Sequence, residues 1–365
     1  MANRLYVTEG ALHLHSSDPI VLTPGDLRHA DQRPEVRDLL QGCNLYLIAS
    51  RARIYVDHAH LDNGTLYGTF NLAQHEERFA APFACPLPRD ITVPPSELIA
   101  GTSLSGTHVV LKQDQPDGGS FIFPVNALIA RSTSPLPIEA CDMEVLYVGQ
   151  GMGRTRARTA VDRLRRHETF QTILAEHHTF HPEREILLLL YRFEHQRNFL
   201  STGGDFSLQP QASQDQERQH LQKIATAVLS RKERIALAEA ALINHFKPHY
   251  NAIFKGTDFT RASKLKTLRA VLRQDLTGLM VEINTSSVKG RLGSAHRPHG
   301  DNPTLDMLNE NIEARRAEGI DPELYAEMLA ELSLIRHAHF ANFALTSPHE
   351  RETFLHDLNF HWETG

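Results

Sequence analysis

The chain has 365 residues, 41% of them hydrophobic and 22% charged, with a net charge of −6. That size admits two or three domains with ordinary cores, and the balance excludes a disordered or wholly basic chain. No apolar run approaches a membrane span, and the opening MANRLYVTEG lacks the apolar core of a signal peptide. Cys43, Cys85 and Cys141 have no CxxC spacing, so they read as reduced, buried thiols of a cytoplasmic protein.

Residues 1–104 read as a β-rich accessory domain, with strands expected at 4–8, 44–49, 53–56 and 65–70 and a hairpin turn at Asp62-Asn63-Gly64. Prolines at 82, 86, 88, 94 and 95 predict a connector over 81–95. His58-Ala59-His60 is an HxH on a strand, a pattern more often surface than metal. Such a module serves recognition or self-association, and a homo-oligomer is left open.

Further strands are expected over 105–135, followed by Glu144 to Val148, a run of mostly β-branched or aromatic residues. Gly149, Gly151 and Gly153 break that strand, and a helix is expected over 159–176. Arginines 154, 156, 158, 163, 165 and 166 crowd this turn and helix. Glycines admit a close backbone and guanidinium groups bind phosphate bidentately, so the stretch suits a phosphate ligand. The glycine spacing is not that of a dinucleotide loop, and no Walker A loop occurs. His177, His178 and His181 form an HHxxH, expected to be loop histidines. Residues 185–193 read as a buried central strand and 201–219 as an exposed insertion.

Helices are expected over 221–246. Ile235, Ala238, Leu242 and Phe246 form one stripe, ended by Lys247-Pro248. Glu239 is an acid flanked by alanines on this apolar segment, either a solvated position or a metal ligand. A second basic run, from Lys255 to Arg273, follows at once. Two basic runs flanking one motif predict a local basic patch on an acidic protein, suited to nucleic acid, with two solvated helix faces as the alternative. Residues 256–365 read as an α-rich accessory domain, with helices over 263–273 and 303–318, a strand over 278–284, and a last helix opened by Asp321-Pro322.

Tyr147-Val148-Gly149, Arg163 with His167 four residues on, and Glu239-x-x-Leu242-Ile243 followed by Lys247-Pro248-x-Tyr250-Asn251 resemble the GIY-YIG nuclease family. The resemblance covers residues 105–255. It implies an α+β fold: a small mixed or antiparallel sheet flanked by helices, between the β-rich and α-rich regions. It also implies a metal-dependent endonuclease acting on DNA in preference to RNA. In that reading Glu239 binds Mg²⁺ or Mn²⁺ and Arg163 clamps the scissile phosphate. Tyr147 positions or deprotonates the water beside His167, and Asn251 holds the helix end. Gly149, Arg154, Arg156, Arg158, Arg166 and Lys255 face the nucleic acid. Arg163 and His167 are expected on one helical face.

The first half-motif, Gly-Ile-Tyr, has no obvious counterpart, because no tyrosine lies between Tyr67 and Tyr147. Two strands are open for its place. One is 123–130, FPVNALIA. The other is 106–110, which sets His108 where the tyrosine belongs and makes it a replacement base. A catalytically degenerate, nucleic-acid-binding protein is the alternative function.

Overall fold

The computed structural model describes residues 3–30, 32, 34–72, 79–115, 118–151, 159–255, 262–300 and 303–356. In chain order these begin with β1 (Glu9–His15), β2 (Ile20–Leu22), α1 (Pro34–Leu40) and β3 (Leu45–Ala52). A β-rich excursion follows: β4 (Ile54–Asp62), β5 (Thr65–Leu72), β6 (Phe79–Pro86), β7 (Leu98–Thr102), β8 (His108–Gln113), β9 (Ser120–Pro124) and α2 (Val125–Arg131). The chain returns through β10 (Met143–Gln150), α3 (Ala160–Leu164), α4 (Glu168–Phe180), β11 (Arg184–Tyr191), β12 (His195–Ser201) and α5 (Gln214–Ala225). It ends with α6 (Arg231–Phe246), α7 (His249–Lys255), α8 (Ala262–Arg273), β13 (Leu276–Asn284), β14 (Leu292–Gly293), α9 (Pro303–Ala317), α10 (Pro322–Ile335) and β15 (Ala338–Ala344). The fold is α+β, with mixed sheets.

The central sheet has the order β14-β10-β3-β11-β2, and β3 runs antiparallel to both neighbours. A second sheet has the order β12-β1-β13-β15. The largest core contains Leu45 and Leu47 of β3, Leu187 and Leu189 of β11, Leu12 and Leu14 of β1, and Leu279 and Val281 of β13, together with the apolar residues of α6. Both sheets and α6 therefore bury one face in a shared interior. The other face of the central sheet carries Tyr46, Ile48, Leu188 and Leu190, packed with Leu164, Phe170 and Ile173 of α3 and α4. Period-2 alternation along β3 thus serves two cores at once.

These pairings redraw the expected three-part division. Strand β1 pairs with β13, 260 and more residues away in sequence. β3 pairs with β10 and β11. The N-terminal 1–104 and C-terminal 256–365 segments therefore share sheets with the middle of the chain. What stands apart is the excursion between β3 and β10. Its two three-stranded sheets, β4-β5-β6 and β7-β8-β9, share a core of their own with Leu128 and Ile129 of α2. Residues 81–95 are not simply a connector. β6 accepts Pro82 and Pro86 because it is an edge strand, where a missing N–H costs no ladder bond. The FPVNALIA stretch is not one strand either. Pro124 ends β9 in extended geometry, and Val125, Leu128 and Ile129 sit on the buried side of a helix at i, i+3, i+4 spacing. Among the described residues, no helix is long and apolar enough to cross a membrane.

Candidate active site

β3 and β10 set the centre. In their antiparallel register Tyr46 lies opposite Gly149 and Ile48 opposite Tyr147. A bulge between Val145 and Tyr147 rephases β10, so that Leu146 and Tyr147 both join the α3/α4 face. The two phenols become diagonal neighbours with ring centroids 6.2 Å apart. Gly149 is required by this pairing: a Cβ there would lie 2.6 Å from Tyr46 Cζ and Oη. Gly151 is confined likewise, with a Cβ falling 2.4 Å from Ala160 Cα. Its N–H donates to the Asn44 carbonyl at 2.7 Å.

Tyr46, in the stretch Asn44-Leu45-Tyr46-Leu47-Ile48, thus presents a second phenol on the strand paired with β10. The sequence reading looked only after Tyr67 and missed it, because the β-rich excursion separates the paired strands. His108 is corrected accordingly. It lies on β8, in the separate β7-β8-β9 sheet, with Nδ1 2.8 Å from Thr107 Oγ1.

His167 closes the site from the side of α3 and α4. It is 6% exposed, its Nε2 is 3.3 Å from Tyr147 Oη, and its ring meets Tyr46 edge-on at 6.1 Å. The expected helix over 159–176 is interrupted here. α3 opens with a Thr159–Asp162 capping box and ends after Leu164, and His167 is the extended N-cap residue of α4, φ −95°. Arg163 and His167 thus come from two helices rather than from one helical face. The Arg163 guanidinium lies close enough to the Tyr46 phenol to favour its ionised form, against the larger effect of burial. Burial, and secondarily Tyr147, push the Tyr46 phenol above its ordinary pKa, so it keeps its proton at neutral pH.

Glu239 comes from α6, whose start is fixed by a Ser230–Glu233 capping box. The carboxylate is 3% exposed, and Gln150 Nε2 donates to its Oε2 at 2.9 Å. It also lies close enough to act electrostatically on Tyr46. Gln150, the last residue of β10, is a second member of the cluster that sequence reasoning missed. A glutamine after a glycine carries no signal without its partner. Asn251, wholly buried, accepts from the Val148 N–H at 2.7 Å and donates to the Val148 carbonyl at 2.9 Å. Its amide takes the part of a neighbouring strand along the stretch of β10 that two-residue β14 does not reach. Lys247, in left-handed geometry at φ 43°, ends α6 and starts the turn that delivers Asn251. Tyr250 donates to Glu176 on α4, tying α7 to that helix.

The structure thus brings Tyr147, Arg163, His167, Glu239 and Asn251 together with Tyr46 and Gln150. Arg166 is exposed on the short link between α3 and α4. Lys255 is the last residue of α7. Arg154, Arg156 and Arg158 lie outside the described residues. His177 and His178 lie on α4 rather than in a loop, the His177 and His181 rings are tilted with centroids 5.2 Å apart, and His60 packs on Tyr67 at 5.5 Å. Among the described residues no group of three His, Cys, Asp or Glu side chains could hold a metal ion. Any cation here would therefore rest on one carboxylate and complete its shell with water and phosphate oxygens. That pattern fits Mg²⁺ or Mn²⁺ and does not fit a zinc cage.

No family model matches the chain, and neither the curated proteins nor the solved structures yield a match.

Proposed function

We propose that the chain is a metal-dependent endonuclease that hydrolyses DNA phosphodiester bonds in the manner of GIY-YIG nucleases, in a restriction or phage-defence role. One observation carries this reading. Two phenols from paired strands, a guanidinium, an imidazole and a buried carboxylate share one cluster, although Tyr46 and Glu239 are 193 residues apart. A structural core gains nothing from a buried carboxylate beside two phenols. A phosphoryl-transfer site has a use for each of these groups.

The residues divide the work. Arg163 engages the non-bridging oxygens of the scissile phosphate. Tyr46, protonated, hydrogen-bonds the attacking water and sets its line of approach. Tyr147 takes the water's proton as its own passes to His167 Nε2, so the proton count balances across the pair. Glu239, oriented by Gln150, would hold a divalent cation that offsets charge on the phosphate and the leaving oxygen. Asn251 fixes the β10 backbone beneath Tyr147.

The catalytically degenerate alternative was motivated by a missing tyrosine, and Tyr46 supplies a second phenol beside Tyr147. The test is incubation of purified protein with plasmid, single-stranded DNA and RNA, with Mg²⁺, Mn²⁺ or EDTA. Cation-dependent nicking or linearisation of plasmid is expected. Binding without cleavage under every cation would favour the degenerate reading.

A further inference from the structure

A second cavity, of about 320 Å³, lies at the seam between the β-rich excursion and the two-sheet body. Phe70, Ile129, Leu136 and Ile138 form apolar walls from the excursion, and Lys289 and His337 enter from the body. Its size is at the small end of ligand pockets, ~300–1,000 Å³.

Two lining side chains are unusual. Ser132 is 3% exposed and His337 8% exposed, yet among the described residues Ser132 Oγ and His337 Nδ1 have no hydrogen-bond partner. Buried polar atoms are normally paired, and leaving one unpaired costs ~1–3 kcal/mol. Both line this cavity. The Lys289 ammonium is anchored at its mouth, donating to the Ser132 carbonyl at 2.7 Å from a residue in left-handed geometry, φ 53°. Among the described residues no carboxylate lines the cavity. The nearby Asp142 is engaged by Arg291, at 2.6 and 2.8 Å. The lining is therefore net positive. His337 Nδ1, with no partner among the described residues, is placed to pair with a ligand hydroxyl.

We propose that this cavity binds a small organic carboxylate with an apolar body and a hydroxyl group. The carboxylate sits between Lys289 Nζ and Ser132 Oγ, the body lies among Phe70, Ile129, Leu136 and Ile138, and the hydroxyl pairs with His337 Nδ1. Such a ligand touches both the excursion and the body, so binding couples them. The site is separate from the tyrosine cluster and does not depend on nuclease activity.

The test is calorimetric titration of the full chain with mandelate and with phenylacetate, which differ by the hydroxyl alone. Mandelate is expected to bind about tenfold tighter than phenylacetate. Lys289→Met, at an exposed side chain, and Ser132→Ala are each expected to weaken both ligands about tenfold or more. His337→Phe should erase the difference between the two. If His337→Phe does not fold, Leu136→Trp, which fills the cavity from the opposite wall, should abolish binding of both. Absence of heat for both ligands up to about 10 mM overturns the proposal, since that ceiling corresponds to less than ~3 kcal/mol of binding. Binding unchanged in Lys289→Met and Ser132→Ala overturns it equally.

Discussion

The phenol of Tyr46 lies against the α-carbon of Gly149, so closely that a methyl group there would meet Tyr46 Cζ and Oη at 2.6 Å. Strand β3 and strand β10 are matched to each other at this point: the tyrosine of one needs the glycine of the other. Gly149→Ala should therefore act through Tyr46. It should cost ~1–3 kcal/mol of stability, as overpacking a tight interior does. Combined with Tyr46→Ala, whose ring is then gone, the loss should be clearly less than the sum of the two single changes. Urea denaturation of the four proteins measures the coupling, and strict additivity would mean that the contact carries no energy.

Tyr46 and His108 make opposite predictions for the same assay. Tyr46→Phe keeps the ring that packs on Tyr147 and His167 and removes the oxygen that Arg163 lies near. Cleavage should fall by about 10²-fold or more, the scale of losing one positioned catalytic group. His108→Phe changes a residue of a separate sheet and should leave turnover near normal. A pH series on both variants decides the matter. Loss of the acid limb in His108→Phe would restore histidine as the base.

Much of this architecture was legible in the chain. Val145, Tyr147 and Val148 announce a strand, the apolar run 186–190 announces a strand buried on both faces, and the stripe from Ile235 to Phe246 announces α6. The family resemblance singled out Glu239, Tyr147 and Asn251, which sit within short, dense motifs. What local spacing could not carry was pairing. Tyr46 comes beside Tyr147 only when β3 is laid beside β10, and the whole β-rich excursion intervenes. Strand β1 joins β13 for the same non-local reason. The break between α3 and α4 was hidden as well, because a helical stripe continues through Leu164, Phe170 and Ile173 while the backbone stops and restarts at His167.

The hydrogen bond from Gln150 to Glu239 allows the proposed ligand and its proposed orienter to be tested apart. Glu239→Ala removes a buried negative charge beside the expected phosphate. It should abolish cleavage while leaving DNA affinity equal or higher, which a gel-shift titration reports. Gln150→Ala keeps the carboxylate and deletes the 2.9 Å bond that orients it. Loss of an orienting partner typically costs 10–100-fold in metal affinity or activity. Gln150→Ala should thus shift the Mg²⁺ requirement upward by about that factor, with partial rescue at high Mg²⁺. A rate loss insensitive to Mg²⁺ concentration would assign Gln150 to packing alone.

The acid limit of stability should be set by two histidines, one of them between Ile243 and Lys247. His245 at the end of α6 and His339 on β15 are held neutral by burial, each with its pKa lowered to about 3. Neighbouring Arg297 and His296 add to the effect on His245, and His337, His299 and Arg291 add to it on His339. The neutral ring of His339 is also in use, its Nε2 accepting from the Leu292 N–H at 3.1 Å. Both groups have folded pKa values below the ordinary ~6.5 of an unfolded histidine. The unfolded chain therefore binds more protons between those limits, and stability must fall as pH drops. Their contribution is fully present above pH ~6.5 and is lost progressively towards pH ~3. Denaturation midpoints measured from pH 7.5 down to 4.5 should decline steadily. His245→Leu, which cannot be protonated, should flatten that decline by up to one proton's worth of slope, ~1.4 kcal/mol per pH unit. An unchanged slope in His245→Leu would show that His245 does not titrate on unfolding.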